Sequence, residues 1–216
     1  LVLLAFLNYL PYSKHLHILT AIPNCFFRSF SVPKTVQPLV FEKGNNFGVS
    51  KITQFTWKDL LHFMACTECG RCQAACPAER TGKSLNPRLL VHGGKRNLFI
   101  NSQAMWNDRR IDSLPPPVDE NEMPVALIGE GEESIAEEDL WACTTCGSCM
   151  VECPVFIEHV PKIIDMRRHL VMEQARFPEE LNRLFENTEQ RFNPWGIAPS
   201  DRIKWTQDLN VPVVEE

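Results

Sequence analysis

The sequence has no basic excess: its 216 residues carry a formal net charge of −5, which leaves no electrostatic footprint for nucleic acid. It has no low-complexity tract, no glycine-rich phosphate loop, no Ser/His/Asp set and no paired-carboxylate motif, so nothing points to nucleotide cradling or to the common hydrolytic chemistries. It has no alternating apolar and polar run of the kind that marks a strand. Its most apolar segment, Leu1 to Leu10 (LVLLAFLNYL), is too short to cross a bilayer, because that many helical residues reach about 15 Å, half the hydrocarbon thickness. From Ser113 to Asp139 there is no Lys or Arg, while Asp119, Glu120, Glu122, Glu130, Glu132, Glu133, Glu137, Glu138 and Asp139 are acidic. Between Arg71 and Asp112 the balance is reversed. Both stretches read as solvated surface.

What the sequence does have is a cysteine pattern that occurs twice, at Cys66, Cys69, Cys72, Cys76-Pro77 and at Cys143, Cys146, Cys149, Cys153-Pro154. Both copies read CxxCxxCxxxCP, the spacing that binds 4Fe-4S clusters in two-cluster ferredoxins. Three thiolates on one tight loop reach three irons of a cubane, and the fourth cysteine points on into the following segment. Zinc sites pair two short CxxC units across a longer gap, and they do not account for the third cysteine or the proline. Disulfides are excluded by crowding within one loop, and a chain of this length has no need of staples. Free thiols in such number imply a reducing compartment and place the cluster region on the cytoplasmic side.

The opening segment is expected to be the end of a transmembrane helix. Lys14, Arg28 and Lys34 follow it with no acidic residue before Glu42, which by the positive-inside tendency agrees with a cytoplasmic cluster region. His15 and His17, two apart, point to different faces of a helix. Cys25 reads as a plain apolar residue. Residues 23–55, rich in Pro, Gly and Asn, read as a linker.

Thr56-Trp-Lys-Asp59 is a capping start for a helix that enters Cys66. Asn86-Pro87 begins another, to about Asn101 despite Gly93-Gly94. Pro115–Pro117 are extended. Ala136 to Ala142 is a short helix into the second quartet. His159 to Ala175 places Val160, Ile163, Ile164, Leu170, Val171 and Ala175 on one buried stripe, with Arg167 and Arg168 solvated. Pro178 opens a helix to Gln190, broken at Asn193-Pro-Trp-Gly196 before an irregular tail. The 66 residues between Cys76 and Cys143 are too many for a compact βαββαβ ferredoxin. The expected fold is therefore mainly α: an α-helical ferredoxin domain with two 4Fe-4S clusters, preceded by the end of a transmembrane helix and a linker. The expected boundaries are 1–30, 31–55, 56–176 and 177–216.

The stretches MACTECGRCQAACPAERTGKSLNPRLL, IAEEDLWACTTCGSCMVECPVFIEHVPKIIDMRRHLVMEQARFPEEL and NPWG resemble iron-sulfur oxidoreductases related to the catalytic subunit of membrane heterodisulfide reductase. The resemblance covers about 56–205. Such proteins continue into CCG domains that hold the catalytic cluster, and this sequence contains no CCG. The first residues are similar to the last membrane helix of the nitrate reductase gamma-type cytochrome b family. There, a Pro-aromatic-Ser/Thr-Lys/Arg stretch precedes an axial haem histidine that aligns with His17, not His15. The resemblance implies haem b in an intact parent, a cytochrome b domain that exchanges electrons with membrane quinone, and a relay of single electrons towards CCG catalytic domains. Two further readings stay open: the iron-sulfur subunit of a peripheral glycolate or glycerol 3-phosphate-type dehydrogenase, and a non-catalytic redox-sensing or zinc-binding module.

Spacing alone leaves the fourth ligands ambiguous. Each quartet is able to hold its own cluster, but Pro77 and Pro154 turn the chain away from the loop before them, and two-cluster ferredoxins with this motif exchange fourth ligands. The expected sets are Cys66, Cys69, Cys72 and Cys153 for the first cluster, and Cys143, Cys146, Cys149 and Cys76 for the second.

Overall fold

The computed structural model describes residues 1–10, 13, 15–30, 38–39, 41, 47–107, 123–209 and 211, the side chains of 103–107 excepted. Pro115–Pro117 and the acidic residues Asp119, Glu120 and Glu122 lie outside this set. The chain divides into two compact units, Leu1–Gln174 and Ala175–Glu216.

The first unit is helical, as the spacing predicts. Its elements are α1 (Val2–Tyr9), α2 (Leu16–Phe26), a 3₁₀ turn (Ile52–Gln54), α3 (Trp57–Ala65), α4 (Arg71–Ala74), α5 (Pro77–Arg80), α6 (Pro87–Asn107), α7 (Glu137–Ala142), α8 (Ser148–Val151) and α9 (His159–Arg168), which runs on through a π turn at His169–Glu173. Among the described residues the only β pairing is an isolated bridge, Ile128 to Ile135. α3 packs on α6, α7 on α9, and the short helices α4 and α8 on each other, so two similar halves meet at α4 and α8.

Local chemistry sets the ends. Thr56 caps α3, its hydroxyl accepting from the Asp59 amide at 3.2 Å. Asn86 caps α6, accepting from Arg88 N at 3.0 Å and Leu89 N at 3.3 Å, with Pro87 in the first turn, where its missing N–H costs nothing. α6 runs through Gly93-Gly94 because these glycines are where other elements come closest. A methyl on Gly94 would fall 2.7 Å from Phe63 Cδ1, and one on Gly93 would fall 2.9 Å from the Ser134 carbonyl oxygen. The core gathers Ile52, Phe63, Leu85, Val91, Leu127, Ile135, Leu140, Ile157, Ile163, Met166 and Leu170. Asn97 and Asn101, one turn apart on α6 and both buried, clamp the strandless segment before α7. Asn97 Nδ2 donates to the carbonyls of Ala126 (3.0 Å) and Glu133 (2.9 Å), and Asn101 Nδ2 to that of Val125 (3.0 Å).

Three expectations are corrected. Residues 23–26 belong to α2, with Pro23 inside it, and α2 packs on α3: Thr20 Oγ1 donates to the Met64 carbonyl at 2.9 Å and Asn24 Nδ2 to that of Val155 at 2.6 Å. The buried face of α9 is His159, Lys162, Ile163 and Met166, continued by Leu170, whereas Val171 and Ala175 are exposed. The helical stripe was there but two of its members are polar. Arg167 is half-buried: its Nε donates to the Leu140 carbonyl at 2.8 Å and its Nη2 to the Cys143 carbonyl at 2.6 Å.

α1 carries Leu1, Val2, Leu3, Leu4, Phe6, Leu7 and Tyr9 exposed, and no helix among the described residues is long and apolar enough to cross a membrane. In the second unit, α10 (Glu180–Arg191) ends at Phe192 in the left-handed region, and the residues after it form a 3₁₀ helix, Pro199–Thr206, where an irregular tail was expected.

Candidate metal centre

The two cysteine loops repeat one backbone shape. Cys66 ends α3 and Cys143 ends α7, both extended. Two residues on, Glu68 and Thr145 both sit at φ 55°, and two further on Gly70 and Gly147 sit at φ 80° and 78°. The glycines are legible as a requirement for positive φ. Glu68 and Thr145 are not, since neither residue type favours it. α4 and α8 then start and carry Cys72 and Cys149. Outer cysteines Cys69 and Cys146 are exposed, while Cys76, Cys149 and Cys153 are buried.

Each loop borders a cavity. The first is lined by Cys66, Cys69 and Cys72 together with Cys153, Ile157 and His159. The second is lined by Cys143, Cys146 and Cys149 together with Cys76, Leu85 and Pro87. In each, three cysteines come from one half of the chain and the fourth from the other. The thiols report the same neighbourhoods. Burial and then the charges of Cys66 and Cys153 push Cys72 up to about 11. Burial and then Cys143, with Cys76 among the smaller contributors, push Cys149 up to about 12. Burial raises Cys66, Cys143 and Cys153 as well, whereas Ser148 lowers exposed Cys146. Thiolates crowded in this way need positive charge between them, which is what iron supplies.

Backbone donors already face the sulphurs: Thr145 N lies 3.4 Å from Cys143 Sγ and Ile157 N lies 3.3 Å from Cys153 Sγ. Among the described residues no three His, Cys, Asp or Glu side chains gather closely enough for a single metal ion; the sulphurs stand around cavities instead. The donor set, the cavities and a buried His159 Nδ1 that no protein group meets fit a cluster in each. His17 lies elsewhere, half-buried on the first turn of α2, beside exposed His15. Cys25 is partly buried against the core.

Comparison with known proteins defines the class. Residues 65–157 match the 4Fe-4S dicluster domain, and the chain is related to iron-sulfur oxidoreductases of the heterodisulfide reductase type. It is 35% identical, over an alignment of 222 positions that takes in 95% of this chain and 30% of the relative, to "EtfAB:quinone oxidoreductase" of Syntrophomonas wolfei. It is 38% identical over 170 residues, 78% of this chain and 25% of the relative, to a "Probable membrane-anchored ferredoxin" of Chromohalobacter salexigens. Over 120 residues, 55% of this chain and 53% of the relative, it is 28% identical to one subunit of a ferredoxin/F420H2-dependent CoB-CoM heterodisulfide reductase of Methanosarcina acetivorans. The chain thus spans about a third or less of the first two.

Proposed function

We propose that this chain is the electron-relay portion of a membrane-associated oxidoreductase, with one 4Fe-4S cluster on Cys66, Cys69, Cys72 and Cys153 and a second on Cys143, Cys146, Cys149 and Cys76. The observation that supports the reading is that the fourth cysteine of each quartet lines the cavity bordered by the other quartet's loop. The clusters supply one-electron chemistry, and the chain's residues do the rest. The cysteines hold the irons, Thr145 N and Ile157 N donate to sulphurs, and Leu85, Val155, Ile157 and Ile163 keep water from the inner faces.

In the intact protein the relay runs between a membrane quinone or haem b domain and CCG catalytic domains, with the clusters on the cytoplasmic side. Likeness to a quinone oxidoreductase, to a membrane-anchored ferredoxin and to part of a heterodisulfide reductase supports this, as do the exposed apolar side chains of α1 and of Ile18, Leu19, Ile22 and Phe26 on α2. His17 is the proposed haem ligand of that parent, on the strength of its alignment with the axial histidine of the cytochrome b family.

The test is ligand exchange. Protein purified anaerobically should carry about eight irons and eight sulfides. Cys76→Ser should alter the EPR and Mössbauer spectra of the cluster on the distant second loop, and Cys153→Ser those of the first. Spectra in which Cys76→Ser matches Cys66→Ser would mean that each quartet binds locally. Stoichiometric zinc in air-stable, colourless protein would remove the relay altogether.

A further inference from the structure

The two halves of the first unit act as controls for each other, because each cavity is closed by the chain that follows a Cys-Pro pair. After Cys76-Pro77 the second cavity is closed by Leu85 and by Pro87, the first residue of α6. After Cys153-Pro154 the first cavity is closed by Ile157 and by His159, the first residue of α9. A proline with no side-chain donor in one half is thus answered by a histidine in the other. That histidine is 1% exposed, and its Nδ1 is buried without a protein partner.

The charged groups around the two cavities nearly balance. Arg88 lines the first, its Nε donating to Gln73 Oε1 at 3.2 Å. Arg167 stands behind the second, held by the Leu140 and Cys143 carbonyls. The Glu68 carboxylate in the first loop lies 3.7 Å from Lys95 Nζ, which offsets it, and 3.7 Å from His92 Nε2. Among the described residues lining the two cavities, His159 is the one with a buried side-chain nitrogen that meets no protein group.

We propose that His159 donates an N–H···S hydrogen bond from Nδ1 to the cluster of the first cavity, and that this bond holds the potential of that cluster above that of the second. The proposal rests on the cluster assignment made above. Burial disfavours the charged imidazolium, so the ring is neutral and has one N–H to place. Sulphurs of a cluster and its thiolates are acceptors, so the proton belongs on the nitrogen that faces them. Reduction adds negative charge to those sulphurs, and a hydrogen bond to them favours the reduced state and raises the potential. An electron shared between the clusters therefore rests on the first, and the relay is biased from the Cys143 loop towards the Cys66 loop.

The experiment is EPR-monitored potentiometry on the full chain with both clusters present, the two signals assigned with Cys69→Ser and Cys146→Ser. The first cluster should have the higher potential. His159→Leu should lower it by at least about tenfold in electron distribution, ~59 mV for a one-electron couple, while moving the second far less. His159→Gln, which keeps a donor, should recover much of the difference. In native protein grown on ¹⁵N-histidine, pulsed EPR should show a histidine nitrogen coupled to the first cluster, so the proposal is decided even if His159→Leu does not assemble. A first cluster of lower potential than the second, an unmoved potential in His159→Leu, or no histidine coupling in native protein would overturn it. Iron and sulfide counts keep the two readings apart: low counts remove the relay itself, and full counts with any of those three results remove only the role of His159.

Discussion

Lys162 is the residue whose placement is easiest to disprove. It is 1% exposed, and its Nζ donates to Asp59 Oδ1 at 2.8 Å and the Glu158 carbonyl at 2.9 Å and lies 2.7 Å from His62 Nδ1, with the Phe63 ring centroid at 5.7 Å. Burial pulls the ammonium's pKa below its ordinary value, and Asp59 opposes that. Burial pushes Asp59 the other way, but His62 and the ammonium together hold its carboxyl well below the usual carboxylate range. Asp59→Asn keeps the shape and removes the counter-charge. Breaking a buried pair in this way costs about 3–5 kcal/mol, and the partial exposure of Asp59 sets the expectation at the lower end, about 3 kcal/mol. With a urea dependence of roughly 2–3 kcal/mol per molar for a chain of this size, the midpoint should fall by about 1 M. Asp59→Asn/Lys162→Met should be less damaged than the sum of the single changes by about 1–3 kcal/mol, because no buried charge is left alone. The assay is anaerobic urea titration followed by helical circular dichroism, with iron content matched beforehand. An Asp59→Asn midpoint near the native one, or strict additivity in the double variant, would refute a charged, paired Lys162.

Two further outcomes are expected. Gly94→Ala should cost about 1–3 kcal/mol through overpacking, since the added methyl meets the Phe63 ring, and Phe63→Leu in the same chain should return part of the loss; equal midpoints for Gly94→Ala and native protein would show that α3 and α6 are not in close contact. Burial depresses His62 to about 4, so the unfolded chain binds a proton that the folded chain refuses. Stability should therefore fall as pH drops from about 6.5 towards that value, by ~1.4 kcal/mol per pH unit for this ring. His62→Gln should make the slope between about pH 6.5 and 5 shallower by that amount, and an unchanged slope would contradict the neutral, buried assignment.

The cysteine chemistry and the helical class were legible because iron-sulfur spacing is set by cluster geometry, and because no alternating pattern competes with helix. Pro87 and Thr56 marked helix starts for the same local reason they do in isolation. What was hidden depended on partners remote in sequence. Gly93-Gly94 looked like a break, but they are contacts for Phe63 and Ser134. Arg167 looked solvated, since nothing nearby in sequence announces the two carbonyls that hold it. Lys162 and His159 were left off the apolar stripe of α9, because a charge or an imidazole is not counted as core until its partners are known. Asn97 and Asn101, one helical turn apart, find their carbonyl partners more than twenty residues away.

The shared left-handed residues of the cysteine loops have a consequence for how a site is filled. Holding an L-residue near φ 55° costs roughly 1–2 kcal/mol, and the chain carries that strain at Glu68 and again, with a β-branched side chain, at Thr145. Two unlike residues adopt the same unfavourable angle, so the surrounding backbone dictates the shape and the side chains submit to it. The loop shape around each site is thus set by a backbone common to both, and the differences between the two sites are left to their walls.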